Sequence, residues 1–548
     1  MEPNPRIGSP EDFQIAREWL GRCLNQHAQC SDLHADHPPL PTRVLDVDLD
    51  DRGPVIKLIM GEGRKGRYVT LSHVWGRARM LTTTIATTND RMNGIPMESL
   101  PPTFKDVVTV ARELSVRFVW IDSLCIVQDS ALDWEVESRR MGEYYANSLL
   151  TLAAISAFSS SGGLFSRRNP LELSPCPVAI KLPWSSSYTF GFSRPSRVED
   201  PSKRTDGFQR PPLWQRAWVL QERLLSPRLL MFSKTQMSWR CRSKEAFEQT
   251  PEGSSMWIGR SNEDRVVKPI LDRLQKQDSG ATEQVGSTTH HDISDTDMKE
   301  IYDAWYDLIM LYGKCNLSYA SDVFPAISGI ASSISRASGD RYVAGLWKSD
   351  LHRGLMWTAP DSTSSRADLR EYRAPSWSWA SLPATCTFFV RELIQDKPDT
   401  SCMDIEDVVV HVKGANPFGE ISSARLRIKA FLKPAWPYFR EGDIDPLLEE
   451  IRARSRSGDS LFDLNTRNPV GRYTPDNIDR RHITQIWCSP IMTEVHPESR
   501  MQEPQIGAQC VALYPLDKEG MIYMRVGFAW VRDFEWFSDC VKTSYYVV

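Results

Sequence analysis

The chain has no C-x-x-C pair, and its 11 cysteines are odd in number and scattered over 548 residues. That excludes a disulfide framework of the secreted kind and reads as reduced, mostly buried thiols. No stretch approaches the ~20 apolar residues that span a bilayer. The longest run, Leu149 to Phe158, fits a buried strand with its flank. The opening MEPNPRIGSPEDF has no apolar core of a secretory signal. Basic charge is not in excess either: 66 Lys and Arg stand against 70 Asp and Glu, for a net charge of −4. Nucleic-acid binding through bulk charge is thereby excluded. GEGRKG (61–66) spells G-x-G-x-x-G but reads as a solvated turn that opens no helix, so it is no dinucleotide fingerprint, and it lacks the spacing and following hydroxyl of a P-loop. The reading is a cytoplasmic chain with no membrane span and no bound cofactor.

What is present is a large apolar complement, 41% with 18 Trp, enough for two or three packed domains. Residues 68–158 carry the clearest pattern. YVTLSHVWG (68–76) reads as a strand. Phe104, Val107, Val108, Ala111 and Leu114 then recur at helical spacing, with Thr103 and Asp106 as a capping box. FVWI (118–121) is a compact strand, and a helix from Leu132 to Asn147 follows, capped by Ser130 and Asp133. Alternating strands and helices predict an α/β fold on a parallel sheet, with ligands beyond the carboxyl ends of the strands. Those ends are Ser72 with His73, Asp122 with Ser123, and Ser156.

Several side chains there could carry chemistry. On the helix 132–147, Trp134, Ser138, Met141 and Tyr145 share an apolar stripe and Glu137 lies at its margin. Partial burial would raise that carboxyl's pKa and suit it to acid–base or charge-stabilising work. Pairing with Arg140 or Arg216 is the structural alternative. Asp122 either serves a ligand or caps its own turn through an Asx hydrogen bond. His73 and Cys125 would suit a cysteine hydrolase, but Leu124-Cys125-Ile126-Val127 reads as a buried, inert thiol. In PPLWQRAWVLQERLLSPR (211–228), Trp214, Ala217, Trp218, Leu224 and Leu225 form an apolar face, with Gln221 in its middle and Glu222 at its edge. Gln221 must find partners, as a staple or in a ligand pocket. Near the N-terminus, Phe13, Ala16, Trp19, Leu20, Cys23, His27 and Cys30 fall on one helical stripe. Cys23, His27, Cys30, His34 and His37 offer metal ligands at short spacing, but no second ligand pair follows and helical phase alone explains them. The expectation is a docking helix without metal.

Beyond 245 the composition shifts. Residues 246–297 read as a flexible linker, 298–385 as a helical and aromatic segment, and 386–548 as a β-rich accessory region. YRAPSWSWASL (372–382) alternates as a strand would, and 436–481 reads as a polar excursion. The N-terminal part, 1–64, reads as a helical lead-in to a core over 65–245.

YVTLSHVWG, LPPTF, FVWIDSLCIVQD, DW-x-x-E and RAWVLQERLLSPR, in this order, resemble the fungal heterokaryon incompatibility (HET) domain. SYASDVFPAISGIA, YVAGLWKSDLHRGLMW and YRAPSWSWASL resemble the region that commonly accompanies it. The resemblance spans about residues 15–385 and implies a role in allorecognition and programmed cell death. The family often carries Tyr where His73 stands, which a general base would not tolerate. It also implies a TIR/flavodoxin-like α/β core with an N-terminal lead-in and a mixed, β-rich C-terminal region. Some TIR domains cleave NAD with a glutamate. Trp134-x-x-Glu137 resembles that arrangement with a spacing one residue shorter. In that reading Glu137 and Asp122 are the catalytic candidates, and NAD is a substrate. Ser72, Trp75, Ser123, Trp134, Gln221 and Glu222 are the binding candidates. The alternative is a non-catalytic module that self-assembles or recognises an allelic protein partner.

Overall fold

The computed structural model describes residues 4–31, 37–49, 53–76, 80–169, 176–181, 188–193, 211–254, 267–274, 294–359, 372–383, 385–388, 401–437, 461–476, 483–496 and 505–548. The chain forms two compact units, Met1–Thr288 with Ala326–Ser333, and Thr289–Pro325 with Ile334–Val548.

The first unit is built on a ten-stranded sheet. Its strands are β1 (Arg43–Asp46), β2 (Val55–Met60), β3 (Tyr68–Ser72), β4 (Ile95–Pro96), β5 (Phe118–Trp120) and β6 (Leu150–Ala154). After a separate pair, β7 (Cys176–Lys181) and β8 (Tyr188–Ser193), come β9 (Arg228–Phe232), β10 (Met237–Cys241), β11 (Glu245–Phe247) and β12 (Thr250–Ser254). The spatial order is β12-β11-β10-β9-β6-β3-β5-β1-β2-β4. Only the centre, β5-β3-β6-β9, is parallel, in registers such as Tyr68↔Phe118, Leu71↔Leu152 and Leu152↔Leu230. The expected parallel sheet is therefore a mixed one. Loop length gives the reason: helical crossovers join the four central strands, whereas residues 233–236 link β9 to β10 and 242–244 link β10 to β11. Connections that short permit only antiparallel pairing.

The central strands are covered on both faces, and every residue of β3, β6, β9 and β10 is buried. Two of their hydroxyls pair with each other and with Ser226. Thr70 Oγ1 lies 2.6 Å from Thr151 Oγ1, which lies 2.6 Å from Ser226 Oγ. Helices of this unit are α1 (Pro10–Gln26), α2 (Ala28–Ser31), α3 (Thr88–Asn93), α4 (Pro102–Glu113), α5 (Asp122–Cys125), α6 (Ala131–Asn147) and α7 (Ala217–Leu225). Ser130 caps α6 as anticipated, accepting from the Asp133 N–H. The Thr103–Asp106 capping box is not formed. Pro101 starts α4, while Thr103 Oγ1 and Asp106 Oδ2 accept from the backbone of Gly163, Leu164 and Phe165. A 3-10 turn, Leu213–Gln215, precedes α7, which buries all its residues except Trp218. The expected lead-in is part of the same sheet: β1 pairs with β5 and with β2. The predicted linker falls partly on described strands, β11 and β12, and partly outside the described residues.

The second unit opens with a helix, Asp295–Tyr312, capped by Ser294. Two short pairs follow, β13 (Tyr342–Val343) with β14 (Leu346–Trp347) and β15 (Trp357–Thr358) with β16 (Thr387–Phe388). YRAPSWSWASL is not a strand. It turns into a 3-10 segment, Trp379–Ser381, that buries both Trp377 and Trp379. The rest is β17 (Asp404–Val412), β18 (Ile421–Ala430), β19 (Lys433–Pro437), β20 (Leu461–Asp463), β21 (Pro469–Pro475), β22 (Ile486–His496), β23 (Gln505–Pro515), β24 (Ile522–Val531) and β25 (Thr543–Val547). The order β24-β21-β20-β19-β22-β23 closes on itself through a β23–β24 pairing, a six-stranded barrel. Its core is small: Ala435, Leu461, Cys488, Ala508, Cys510 and Ala529 are buried at its centre. The anticipated excursion 436–481 supplies two of the barrel strands, β20 and β21, and its residues 438–460 and 477–481 lie outside the described residues. Buried Arg525 on β24 pairs with Asp476 at 3.0 Å, donates to the Leu355 carbonyl at 2.6 Å and lies over the Trp357 ring.

Candidate active site

β3 and β5 end side by side, and their following residues carry the polar groups. Trp75 is turned back by Gly76, whose φ of +82° suits glycine; a Cβ there would meet Ser159 at 2.4 Å. The Trp75 indole N–H donates to Asp122 Oδ2 at 2.7 Å, and the Ser123 N–H donates to Oδ1 at 2.7 Å. Asp122 thus accepts from the next residue's N–H and not from Leu124, whose N–H goes to the Ile121 carbonyl, so the Asx turn is not formed; the carboxylate also fixes an aromatic ring. Its side chain keeps 17% of its surface, so this corner reaches solvent. His73 Nδ1 stands 3.9 Å from Asp122 Oδ1, beyond hydrogen-bond reach, and its ring meets Phe104 edge-on. The Arg216 guanidinium donates to the His73 carbonyl.

Into the same place α7 brings Glu222, which is 3% exposed. Burial pushes its carboxyl up to about 7, against the pull of Arg216 and of the neighbouring Ser72 and Tyr145 hydroxyls. The Tyr145 hydroxyl donates to the Leu71 carbonyl at 3.0 Å. Burial acts on His73 in the opposite sense, lowering it to about 4 despite Asp122, so the imidazole is neutral at pH 7. Ser72 Oγ, His73 Nε2, Ser123 Oγ and Glu222 Oε2 are all buried, with no hydrogen-bond partner in the protein. Leaving one such group unsatisfied costs ~1–3 kcal/mol. Ser72 and Glu222 neighbour each other, so their hydroxyl and carboxyl influence one another without a hydrogen bond of standard geometry, at the place where β3, β5 and α7 meet.

The sequence-derived residues divide. Ser72, Trp75, Asp122, Ser123 and Glu222 come together. Trp134, 39% exposed, meets Trp218 edge to face at 6.5 Å, on the first turns of α6 and α7. Gln221 Oε1 accepts from the Gly329 N–H at 2.7 Å, as a staple would, while its Nε2 is buried with no hydrogen-bond partner. Glu137 is more deeply buried than its marginal helical phase implied, at 1% exposure. The Tyr144 hydroxyl donates to it at 2.9 Å, and Arg43 stands at 4.0 Å. Its ion-pair neighbour is Arg43, and Arg140 also lies within electrostatic reach, bonded to Thr42. Burial raises its carboxyl, offset by hydrogen bonds from Thr42 and Tyr144. Arg43 also binds Asp133 and the Cys125 carbonyl. Cys125 is buried, its thiol pushed up to about 12 by desolvation, so it is no nucleophile at pH 7. Sequence reasoning did not place Tyr145 or Arg216 beside Glu222. That meeting joins α6, α7 and β3, which no local spacing reveals.

The family model of heterokaryon incompatibility protein (HET) matches residues 68–222. Residues 68–222 match the HET domain. The HET domain starts at the first residue of β3 and ends on Glu222, so it contains the whole strand-end cluster. β1, β2, α1 and β9 to β12 lie outside the match but within the same unit. Searches among curated proteins and among solved structures return no match to this chain.

Proposed function

We propose that the chain is a heterokaryon incompatibility-type protein of allorecognition and cell-death signalling, whose HET domain cleaves the nicotinamide–ribose bond of NAD at the strand-end cluster. The supporting observation is the set of orphaned polar groups around a buried carboxyl with its pKa near 7. The central strand order also favours it: taken along the chain, β5-β3-β6-β9 is 2-1-3-4, the order of flavodoxin-like sheets, which bind ligands at the β3/β6 switch. In this reading Ser72 and Ser123 take ribose hydroxyls. Trp75, held by Asp122, stacks on a ring. The ionised Glu222 stabilises positive charge developing on the ribosyl carbon and then draws a proton from the attacking water. Nicotinamide leaves as the neutral base, so no general acid is required. Neutral His73 offers Nε2 to the same water or hydroxyl.

Because only ionised Glu222 serves these steps, the rate should rise with pH through about 7 and level off above it. Incubating the full chain with NAD, at high concentration, and following nicotinamide by chromatography across that range tests this. A rate independent of pH through this window would remove Glu222 from the reaction.

The second reading, a partner-recognition module, draws on the second unit. Tyr514, Leu516, Met521 and Ile522 stay exposed around the β23–β24 turn. Absence of NAD loss at any protein concentration would favour it.

A further inference from the structure

We infer that Cys23, His27, Cys30 and Cys241 bind one zinc ion, in a closed Cys3His site outside the matched HET segment. One ligand atom from each residue lies within 4.8 Å of all the others. Zn–S bonds of about 2.3 Å and Zn–N bonds of about 2.0 Å give tetrahedral edges of roughly 3.5–3.8 Å. Cys241 Sγ and His27 Nδ1 already stand 3.4 Å apart. Closing the remaining edges requires rotamer adjustments of an ångström or less.

The surroundings fit thiolates better than thiols. The Lys244 backbone N–H donates to Cys241 Sγ at 3.3 Å, and Arg228 Nε donates to Cys23 Sγ at 3.2 Å. Ser243 Oγ lies 3.7 Å from Cys30 Sγ. Arg228 is 1% exposed, and its other bonds go to the carbonyls of Leu149 and Cys30. Among the described residues no carboxylate pairs with it. A buried guanidinium without an anion is costly. Three thiolates and a neutral imidazole around Zn2+ carry a net charge of −1, the counter-charge that Arg228 lacks. Binding releases the three thiol protons to solvent, and the zinc stays divalent throughout.

Placement indicates the purpose. Three ligands come from α1, His27 and α2, before the HET segment, and the fourth from β10, after it. His27 and Cys241 are separated by 214 positions. The ion would staple the chain on either side of the HET domain at one point. Four protein ligands leave no open position, so the role is structural. The short-spaced ligands are visible in the sequence, but Cys241 is not, because pairing between distant segments supplies it. His34 lies outside the described residues and His37 is exposed.

The test is metal analysis of the full chain, purified under reducing conditions without chelator. The expected result is about one zinc per chain, retained by Cys125→Ser and lost from Cys241→Ser and His27→Gln. Because those variants could fail to fold, the wild type is also stripped and reconstituted with cobalt(II) alone. Intense ligand-field bands of a tetrahedral site, with thiolate charge transfer, are expected. Substoichiometric metal with no such bands would overturn the site. So would full zinc retention by Cys241→Ser, or a disulfide among Cys23, Cys30 and Cys241 in the reduced protein.

Discussion

Two carboxylates on neighbouring helices illustrate how environment sets a residue's task. Glu137 and Glu222 are both almost fully buried, yet they share none of their neighbours. Glu137 has Arg43, Thr42 and Tyr144 to hold its charge, a structural arrangement. Glu222 has an oxygen without a protein partner and a pKa near 7. Since the folded state binds the Glu222 proton more tightly than the unfolded chain does, this group's stabilisation is fully present below the ordinary 4.5. It is lost as pH rises through about 7. Glu222→Gln should therefore flatten the fall in urea stability between those values and leave the variant as stable as wild type, or more so, at pH 8. Glu137→Gln should instead cost roughly 1–3 kcal/mol in the same measurement, by weakening its charge-assisted hydrogen bonds.

At the scale of elements, the strands and their ends were legible because their apolar runs and the polar residues that follow them are local. β3, β5 and β6 fall where alternation and apolar runs place them, and so do α4 and α6. β1 was missed because four residues after a proline-rich stretch carry too little periodicity. The SWSW segment misled because Trp377 and Trp379 are both core residues, and alternation there reflects a turn. Trp218, read as core, is only half-buried, beside Trp134. Close helix packing was equally invisible. At Gly142 of α6 an added Cβ would sit 2.7 Å from the Gly329 Cα, backbone that cannot yield. Gly142→Ala should cost about 1–3 kcal/mol through overpacking, although alanine is the better helix former. Denaturant midpoints of the two proteins decide it.

On the whole-molecule scale, the chain divides its work between an α/β unit carrying the HET domain and a β-rich unit with a closed barrel. A closed barrel has no free edge strands of its own, which protects a core that mixes alanine and cysteine with Leu461, Tyr473, Ile486, Val526, Val531 and Phe537. Its stability leans on Arg525 and Asp476, both fully buried. Arg525→Met strands a buried carboxylate and should cost about 3–5 kcal/mol. The loss should appear as faster hydrogen exchange in β21 and β24. Among the described residues no helix is long and apolar enough to cross a membrane.

The most direct measurement compares NAD loss by the full-length wild type, Glu222→Gln and Glu137→Gln, each at high concentration and each confirmed folded. The account predicts nicotinamide release by the wild type and by Glu137→Gln. It predicts a fall of about 10²–10³-fold in Glu222→Gln, the scale of losing one charge-stabilising group at a reacting centre. Cleavage that survives Glu222→Gln while vanishing in Glu137→Gln would contradict it and move the chemistry to the Arg43 side of α6.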